Sequence, residues 1–410
     1  MVIKRMVAFF LLMSLAALAV LMLRYPEQSW QAGVRGLAIW WDVLFPSLFP
    51  FFVISEIMLG FGIVHFLGKL LDPLMKPLFR IPGSGGFVLA MGFASGYPVS
   101  AKLAAKLREQ RLVTREEGER LVAFTTSSDP IFLIGAVSVG FFGNPKLAGA
   151  LALAHYGGAL LIGGIMRFYR AGAPGTEVRA DAASSRRLSL KQALQAMHQA
   201  RISDGRSLGE LLRQAVVSSL QLMTVVGGLV VFFSVILEIL TASGVMNVLY
   251  AALRWLLPAV GLPAELAEAI VGGLFEVTLG AKSSAAPEGI PLMYKAAAAV
   301  FILSWGGLSV HAQVASILNS SDLRYLPFLF ARFLHGLVAA ALLLLIWEPV
   351  MGAAPAFGLF SPAEAAQLPG WRSVPAAFRL ALALVLTLII LSVLSRIIHR
   401  WLAKPKKYLS

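Results

Sequence analysis

Long apolar runs recur along the chain, separated by short polar turns. A bilayer-crossing helix needs about 20 mostly apolar residues. Runs of that kind lie at 6–23, 36–60, 121–142, 146–169, 215–240, 295–318, 325–347 and 376–398. This pattern predicts about eight full spans. The first run, with no A-x-A-like cleavage site after it, reads as an uncleaved span. Two further apolar stretches, 83–107 and 264–289, are broken near their middles by Gly, Ser, Thr and Pro. Each reads as two half-helices joined by a polar tip, a re-entrant hairpin. Irregular backbone at membrane depth is tolerated only inside protein or beside water. A shorter charged and apolar piece precedes each hairpin, at 63–79 and 245–257, and reads as an interfacial helix.

The two halves repeat this order. Glu56 lies 182 residues before Glu238, Gly92 lies 181 before Gly273, and Tyr156 lies 179 before His335. Span, interfacial helix, hairpin, span and span follow one another in each half. Each unit crosses three times, so the second copy enters from the opposite face, and the expected architecture is an all-α polytopic membrane protein of two inverted repeats. The divisions are an N-terminal helix at 1–33, a first repeat at 34–169, a polar linker at 170–213, a second repeat at 214–348, an outer loop at 349–375, and a last helix with a basic tail at 376–410. Within the linker, Ser189 to Gln192 and Ser207 to Glu210 read as capping boxes that start helices.

Composition agrees with the pattern. Of 410 residues, 58% are hydrophobic and 14% charged, against about 45–50% and about 25% in soluble domains. There is no cysteine, which excludes disulfides, thiolate metal sites and thiol catalysis. The formal charge is +14. With the N-terminus in the cytoplasm, 26 of the 35 Lys and Arg fall on the cytoplasmic side, as the positive-inside bias requires. Both termini are then cytoplasmic. The basic balance is membrane topology rather than a nucleic-acid footprint. No nucleotide, metalloprotease or nucleophile-elbow motif occurs, so no enzyme activity, metal or cofactor is expected.

Candidate chemistry sits at the breaks. The first tip offers Ser95, Gly96 and Tyr97. The second offers Glu276 and Thr278, with Lys282 further on. A carboxylate and an ammonium at that spacing read either as a mutually satisfied pair or as solute contacts. The span after the first hairpin carries Ser127, Ser128 and Asp129 before Pro130, which has no N–H and must interrupt the helix. The matching span carries Gly306, Gly307, Ser309 and Gln313. His155, Arg332 and His335, inside spans, read as interhelical hydrogen-bond partners rather than ligands.

The motifs Gly-Phe-Ala-Ser-Gly-Tyr-Pro (92–98), Thr-Ser-Ser-Asp-Pro (126–130), Leu-Phe-Glu-Val-Thr-Leu-Gly-Ala-Lys (274–282) and Gly-Gly-Leu-Ser-Val (306–310) resemble those of the YlbJ-type sporulation integral membrane proteins, in the nucleoside-recognition or Gate-domain group. The resemblance runs over about 34–347. It implies a plan similar to that of concentrative nucleoside transporters, with two hairpins and two unwound helices. It also implies a site faced by Ser95, Tyr97, Ser127 to Asp129, Glu276, Thr278 and Gly307 to Gln313. The tips lack the Gln-Thr-Glu of those transporters. The sporulation branch is associated with moving dipicolinic acid across the outer forespore membrane, and Lys282 suits a dicarboxylate better than a ribose. The expectation is therefore a bacterial membrane carrier of a small organic anion. A nucleoside or other metabolite carrier is one alternative. The other is a non-transporting scaffold for sporulation partners. The bilayer and a second copy, or other sporulation membrane proteins, are the remaining expected partners.

Overall fold

The computed structural model describes residues 2–176 and 190–352, and every regular element among them is helical. The chain opens with α1 (Val2–Arg24), followed by α2 (Pro26–Ala38) and α3 (Phe45–Gly60), joined through a π-helical turn at Ile39–Leu44. Helix α4 (Ile63–Phe79) leads to hairpin arms α5 (Gly85–Ser95) and α6 (Tyr97–Glu109). Helix α7 (Arg115–Thr125) gives way to an unwound stretch at 126–129, and the chain resumes as a π-helix, Phe132–Phe141. Helix α8 (Leu147–Met166) ends the first half. The linker carries α9 (Leu190–Asp204), and the long α10 (Leu208–Ala242) runs from its end into the second half. It continues with α11 (Asn247–Ala259), hairpin arms α12 (Ala267–Phe275) and α13 (Val277–Ala285), the broken pair α14 (Leu292–Trp305) and α15 (Gly307–Asn319), and α16 (Tyr325–Trp347).

Among the described residues, four helices are long and apolar enough to cross a membrane: Leu147–Met166, Leu208–Ala242, Leu292–Asn319 and Tyr325–Gly352. The pair Pro26–Leu44 and Leu48–Gly60, bent by 53°, makes a fifth if taken as one span. These five correspond to the expected runs at 36–60, 146–169, 215–240, 295–318 and 325–347. The 121–142 run is divided by its unwound centre. In the first run, α1 (Val2–Arg24) is a single helix of 23 residues. The span expected at 376–398 and the part of the 349–375 loop from residue 353 on lie outside the described residues, as does the 177–189 stretch of the linker with Ser189.

Both predicted hairpins form, and their turns follow from local chemistry. Gly96 breaks α5 from α6 with φ 85° and ψ −176°, a conformation open to glycine. Pro98 then sits in the first turn of α6, where a missing N–H is harmless. In the second hairpin the arms touch backbone to backbone, because a side chain on Gly280 would overlap Gly273. Ser207 caps α10, accepting from the Glu210 N–H at 3.2 Å. The Glu210 carboxylate turns to Arg213 at 2.6 Å, so the reciprocal half of that box is not made.

The two larger buried clusters are shared between the halves, while a small third one (Leu257, Leu266, Ile270, Ala298) lies within the second. One buried cluster joins the π-helix of the first half (Leu133, Val137) to α13 and α14 of the second (Ala281, Ala297, Leu303). The other joins hairpin 1 and α7 (Val88, Ala101, Phe124) to α15 and α16 (Val314, Phe328). Each hairpin's second arm packs on the opposite half's broken helix. That crossing brings all four backbone interruptions together.

Candidate functional site

The four breaks are Gly96, 126–129, Glu276 and Gly306. Each exposes backbone groups that a continuous helix would satisfy, and buried orphans of this kind are costly. The structure meets most of them with side chains from elsewhere in the chain. Tyr97, at the first tip, donates its hydroxyl to the Leu303 carbonyl at 2.8 Å, just before the α14 break. Trp305, at that break, donates its indole N–H to the Leu274 carbonyl at 3.2 Å, beside the second tip. Gly307 lies against the second tip so closely that a Cβ would meet the Phe275 carbonyl oxygen at 3.0 Å and the Glu276 Cα at 3.1 Å. On the first side, a Cβ on Gly96 would stand 3.3 Å from Asp129 Oδ2.

Arg332 of α16 holds the centre and is fully buried. Its guanidinium donates to the Thr126 carbonyl at 2.5 Å and, more weakly, to the Leu303 carbonyl at 3.3 Å and the Trp305 carbonyl at 3.5 Å. It therefore serves both broken helices at once. It also donates to His335 Nδ1 at 2.9 Å. His335 Nε2 faces the His155 carbonyl at 2.8 Å and must be the protonated nitrogen, since a carbonyl only accepts. His155 Nε2 accepts from the Ser128 N–H at 3.2 Å and meets Ser127 Oγ at 2.8 Å, so its Nδ1 carries the proton toward Ser304 Oγ, 2.8 Å away. These bonds make both imidazoles neutral with assigned tautomers. The reading of His155, Arg332 and His335 as interhelical hydrogen-bond partners thus holds.

The two acidic residues cap helices. Asp129 Oδ1 accepts from the Ile131 and Phe132 N–H groups at 3.0 and 2.9 Å, at the start of the resumed helix. Glu276 Oε2 accepts from the Leu279 N–H at 2.9 Å at the start of α13, and Oε1 accepts from the Thr278 hydroxyl at 3.3 Å. A carboxylate at a helix N-terminus is favoured by the unpaired N–H groups and the dipole. Glu276 and Lys282 do not pair: Lys282 is exposed on the second arm, with no ion pair among the described residues. The N-termini of α6 and α15 carry no side-chain cap.

Of the residues expected to face the site, Gly96, Tyr97, Ser127, Ser128, Asp129, Glu276, Thr278, Gly306 and Gly307 meet in this cluster, which is enclosed: Asp129 is 7% and Glu276 4% exposed. Ser309 is buried nearby on the first turn of α15. Ser95 is half-buried at the end of α5. Gln313 donates to the Ser309 carbonyl of its own helix at 3.2 Å and is half-buried. Ser100 at the first tip and His311 within the expected 307–313 stretch also join the cluster, as does Ser304 before the second break, while Tyr156 was not expected there. Ser100 Oγ bonds Thr126 Oγ1 at 3.1 Å, Tyr156 donates to the Ser128 carbonyl at 3.0 Å, and His311 Nε2 meets the Trp305 carbonyl at 3.2 Å. The available signal was polar side chains inside apolar runs, which are expensive unless partnered.

Residues 42–145 match the Gate family, described as nucleoside recognition. The chain is 45% identical over 329 residues to the sporulation integral membrane protein YlbJ of Bacillus subtilis (strain 168), covering 80% of this chain and 79% of that one. A solved structure of CNTnw in an inward-facing substrate-bound state superposes with a TM-score of 0.47 at 13% identity, over 82% of this chain and 86% of that one. The resemblance carried by the hairpin motifs is borne out, and the chain belongs to the YlbJ family of sporulation integral membrane proteins.

Proposed function

We propose that this protein is a membrane carrier for a small organic anion, dipicolinate foremost, moving it across the outer forespore membrane during sporulation by alternating access or a gated route. The observation that carries the reading is the meeting of four backbone interruptions, from two hairpins and two broken helices, in one enclosed polar cluster. Such breaks place helix N-termini and loose carbonyls where a polar solute can be held without water. In this reading the halves are inverted repeats, the hairpins enter from opposite faces, and both termini are cytoplasmic.

The caps supply a mechanism. Asp129 and Glu276 occupy the N–H groups that a substrate carboxylate would use. Taking a proton weakens each cap, so an entering carboxylate can replace it on the same donors. Proton binding and anion binding are thereby coupled, with the anion's charge met by helix N-termini and Tyr97. Lys282, exposed on the second arm, meets the anion on its way in.

The test is uptake of labelled dipicolinate into vesicles containing the purified protein. Uptake is expected to rise with an inward proton gradient in the wild type and to lose that dependence in Glu276→Gln. Absence of uptake under any gradient refutes the carrier. Unchanged uptake in Lys282→Ala removes Lys282 from the mechanism. A nucleoside carrier is the second reading, favoured by the Gate match over 42–145. A thermal-shift panel separates them: stabilisation by nucleosides and not by dipicolinate selects the second.

A further inference from the structure

Away from the central cluster, a cavity of about 370 Å³ opens beside the end of α8. Its wall carries Lys76, Arg80, Arg120, Arg167 and Glu117 over an apolar floor that includes Ile81. Helix α8 is apolar enough to span a bilayer and ends at Met166, so Arg167 is the first residue beyond it. The cavity therefore stands at the level where a span meets lipid headgroups.

The wall is built rather than incidental. Arg120 is buried and donates to three carbonyls, those of Tyr169 at 3.0 Å, Arg80 at 3.0 Å and Arg170 at 2.9 Å. Two of these belong to residues in the left-handed region, Arg80 at φ 54° and Arg170 at φ 45°. Side chains other than glycine adopt it at a cost, and it persists where surrounding bonds enforce it. Arg120 enforces it on both sides of the opening. Among the described residues, Glu117 is the one carboxylate lining the cavity, and it is engaged on the rim. It accepts from the Thr114 N–H at 2.8 Å, the Thr176 N–H at 3.1 Å and the Thr176 hydroxyl at 2.5 Å.

The remaining cations are left without anions. Lys76, Arg80 and Arg167 make no ion pair among the described residues. Arg167 Nε is buried with no hydrogen-bond partner. Guanidinium and ammonium groups lining one cavity with no ion pair among the described residues, together with a buried donor in want of an acceptor, match the oxygens of a phosphate group. We propose that this cavity binds the phosphate of an anionic phospholipid headgroup, with the acyl chains running along α8. The apolar floor and the level of the opening select a lipid over a soluble anion, and basic pockets beside spans bind such headgroups.

The full-length protein in neutral detergent tests this, titrated separately with phosphatidylglycerol, phosphatidylcholine and inorganic phosphate. The readouts are the thermal midpoint and the lipid retained in native mass spectra. Phosphatidylglycerol is expected to raise the midpoint and to be retained, while phosphatidylcholine does neither. The double variant Lys76→Gln/Arg167→Gln is expected to weaken the phosphatidylglycerol response by roughly tenfold to thirtyfold in apparent affinity. Arg167→Lys, which keeps the charge, is expected to retain most of it. If the double variant has a lower midpoint without lipid, the exposed Lys76→Gln single variant is read in its place. Equal responses to the two lipids, or a wild-type response in the variants, overturn the proposal. An equal response to inorganic phosphate overturns the lipid assignment and makes the site one for a soluble phosphoryl group.

Discussion

Arg332 does with one side chain what neither broken helix can do for itself. When a helix unwinds inside protein, the freed carbonyls have no water to turn to. The planar guanidinium reaches Thr126 from one helix and Leu303 and Trp305 from the other, while also serving His335. A lysine keeps the charge but has no such fork. Arg332→Lys is therefore expected to leave at least one buried acceptor unmet, at about 1–3 kcal/mol each. A thermal midpoint several degrees lower in detergent is the measurement, and an unchanged midpoint would mean that the clamp contributes nothing. Gly307 makes a second case. It sits at φ +74° against the backbone of the second tip. Gly307→Ala is expected to destabilise by about 1–3 kcal/mol through strain at that angle. Gly228, inside α10 with open space beside it, is the control. There, alanine is expected to be neutral or to stabilise by about 0.5–1 kcal/mol. Denaturation of the two variants in parallel decides whether the close approach at Gly307 matters.

Between elements, the start of α16 is tied to α7 outside the spans. Arg324 donates to Glu119 from Nε at 2.7 Å, from Nη2 at 2.8 Å and from its backbone N–H at 3.0 Å, and Tyr169 adds its hydroxyl at 3.0 Å. Burial alone would raise the Glu119 carboxyl, but these bonds outweigh it and hold the group below its ordinary value of 4.5. The unfolded chain therefore binds that proton at higher pH than the folded one. The tie's contribution is complete above about pH 4.5 and is lost as pH falls through the lower folded value. Glu119→Gln is expected to cost about 1–3 kcal/mol at pH 7 and to flatten the decline of the thermal midpoint below pH 4.5. Asp322, paired with Arg108 at 2.8 Å, is half-exposed, and solvent screening should keep Asp322→Asn under about 1 kcal/mol. Helix starts and stops of this kind were largely legible in the sequence, because they depend on neighbours. Gly96 before Tyr97-Pro98, Asp129 before Pro130 and the Gly306-Gly307 pair all mark breaks that form. The full capping box at Thr114 and Glu117 was equally local and escaped notice. The π-helical stretches at Ile39–Leu44 and Phe132–Phe141 leave no periodic signal distinct from an α-helix. The acids were legible as residues in the breaks but not in their roles. Spacing alone could not say that Glu276 bonds Leu279 rather than Lys282, since both lie within reach of one turn or two.

At the scale of the whole molecule, what the sequence could not contain is the crossing of the halves. Tyr97 and Leu303 are joined across 206 residues, as are Arg332 and Thr126. No local pattern specifies such partners. They arise because each hairpin packs on the other half's broken helix, and the two larger cores are shared. This interleaving makes the enclosed cluster a single mechanical unit. A solute can enter it only if a hairpin moves relative to the break it faces. The chain has no cysteine, so that motion can be arrested at one chosen point. Ser100, on the second arm of hairpin 1, and Thr126, at the first break, touch at 3.1 Å through their hydroxyl oxygens. Ser100→Cys/Thr126→Cys would bring two sulfurs to within about 1 Å of the roughly 2.05 Å bond a disulfide needs. Oxidation is expected to abolish dipicolinate uptake by the vesicles, and a reductant to restore it, while either single variant responds to neither treatment. Full uptake with the bond formed would mean that hairpin 1 stays on its break throughout the cycle. Gating would then fall to the second hairpin alone, where Gly307 and Glu276 meet.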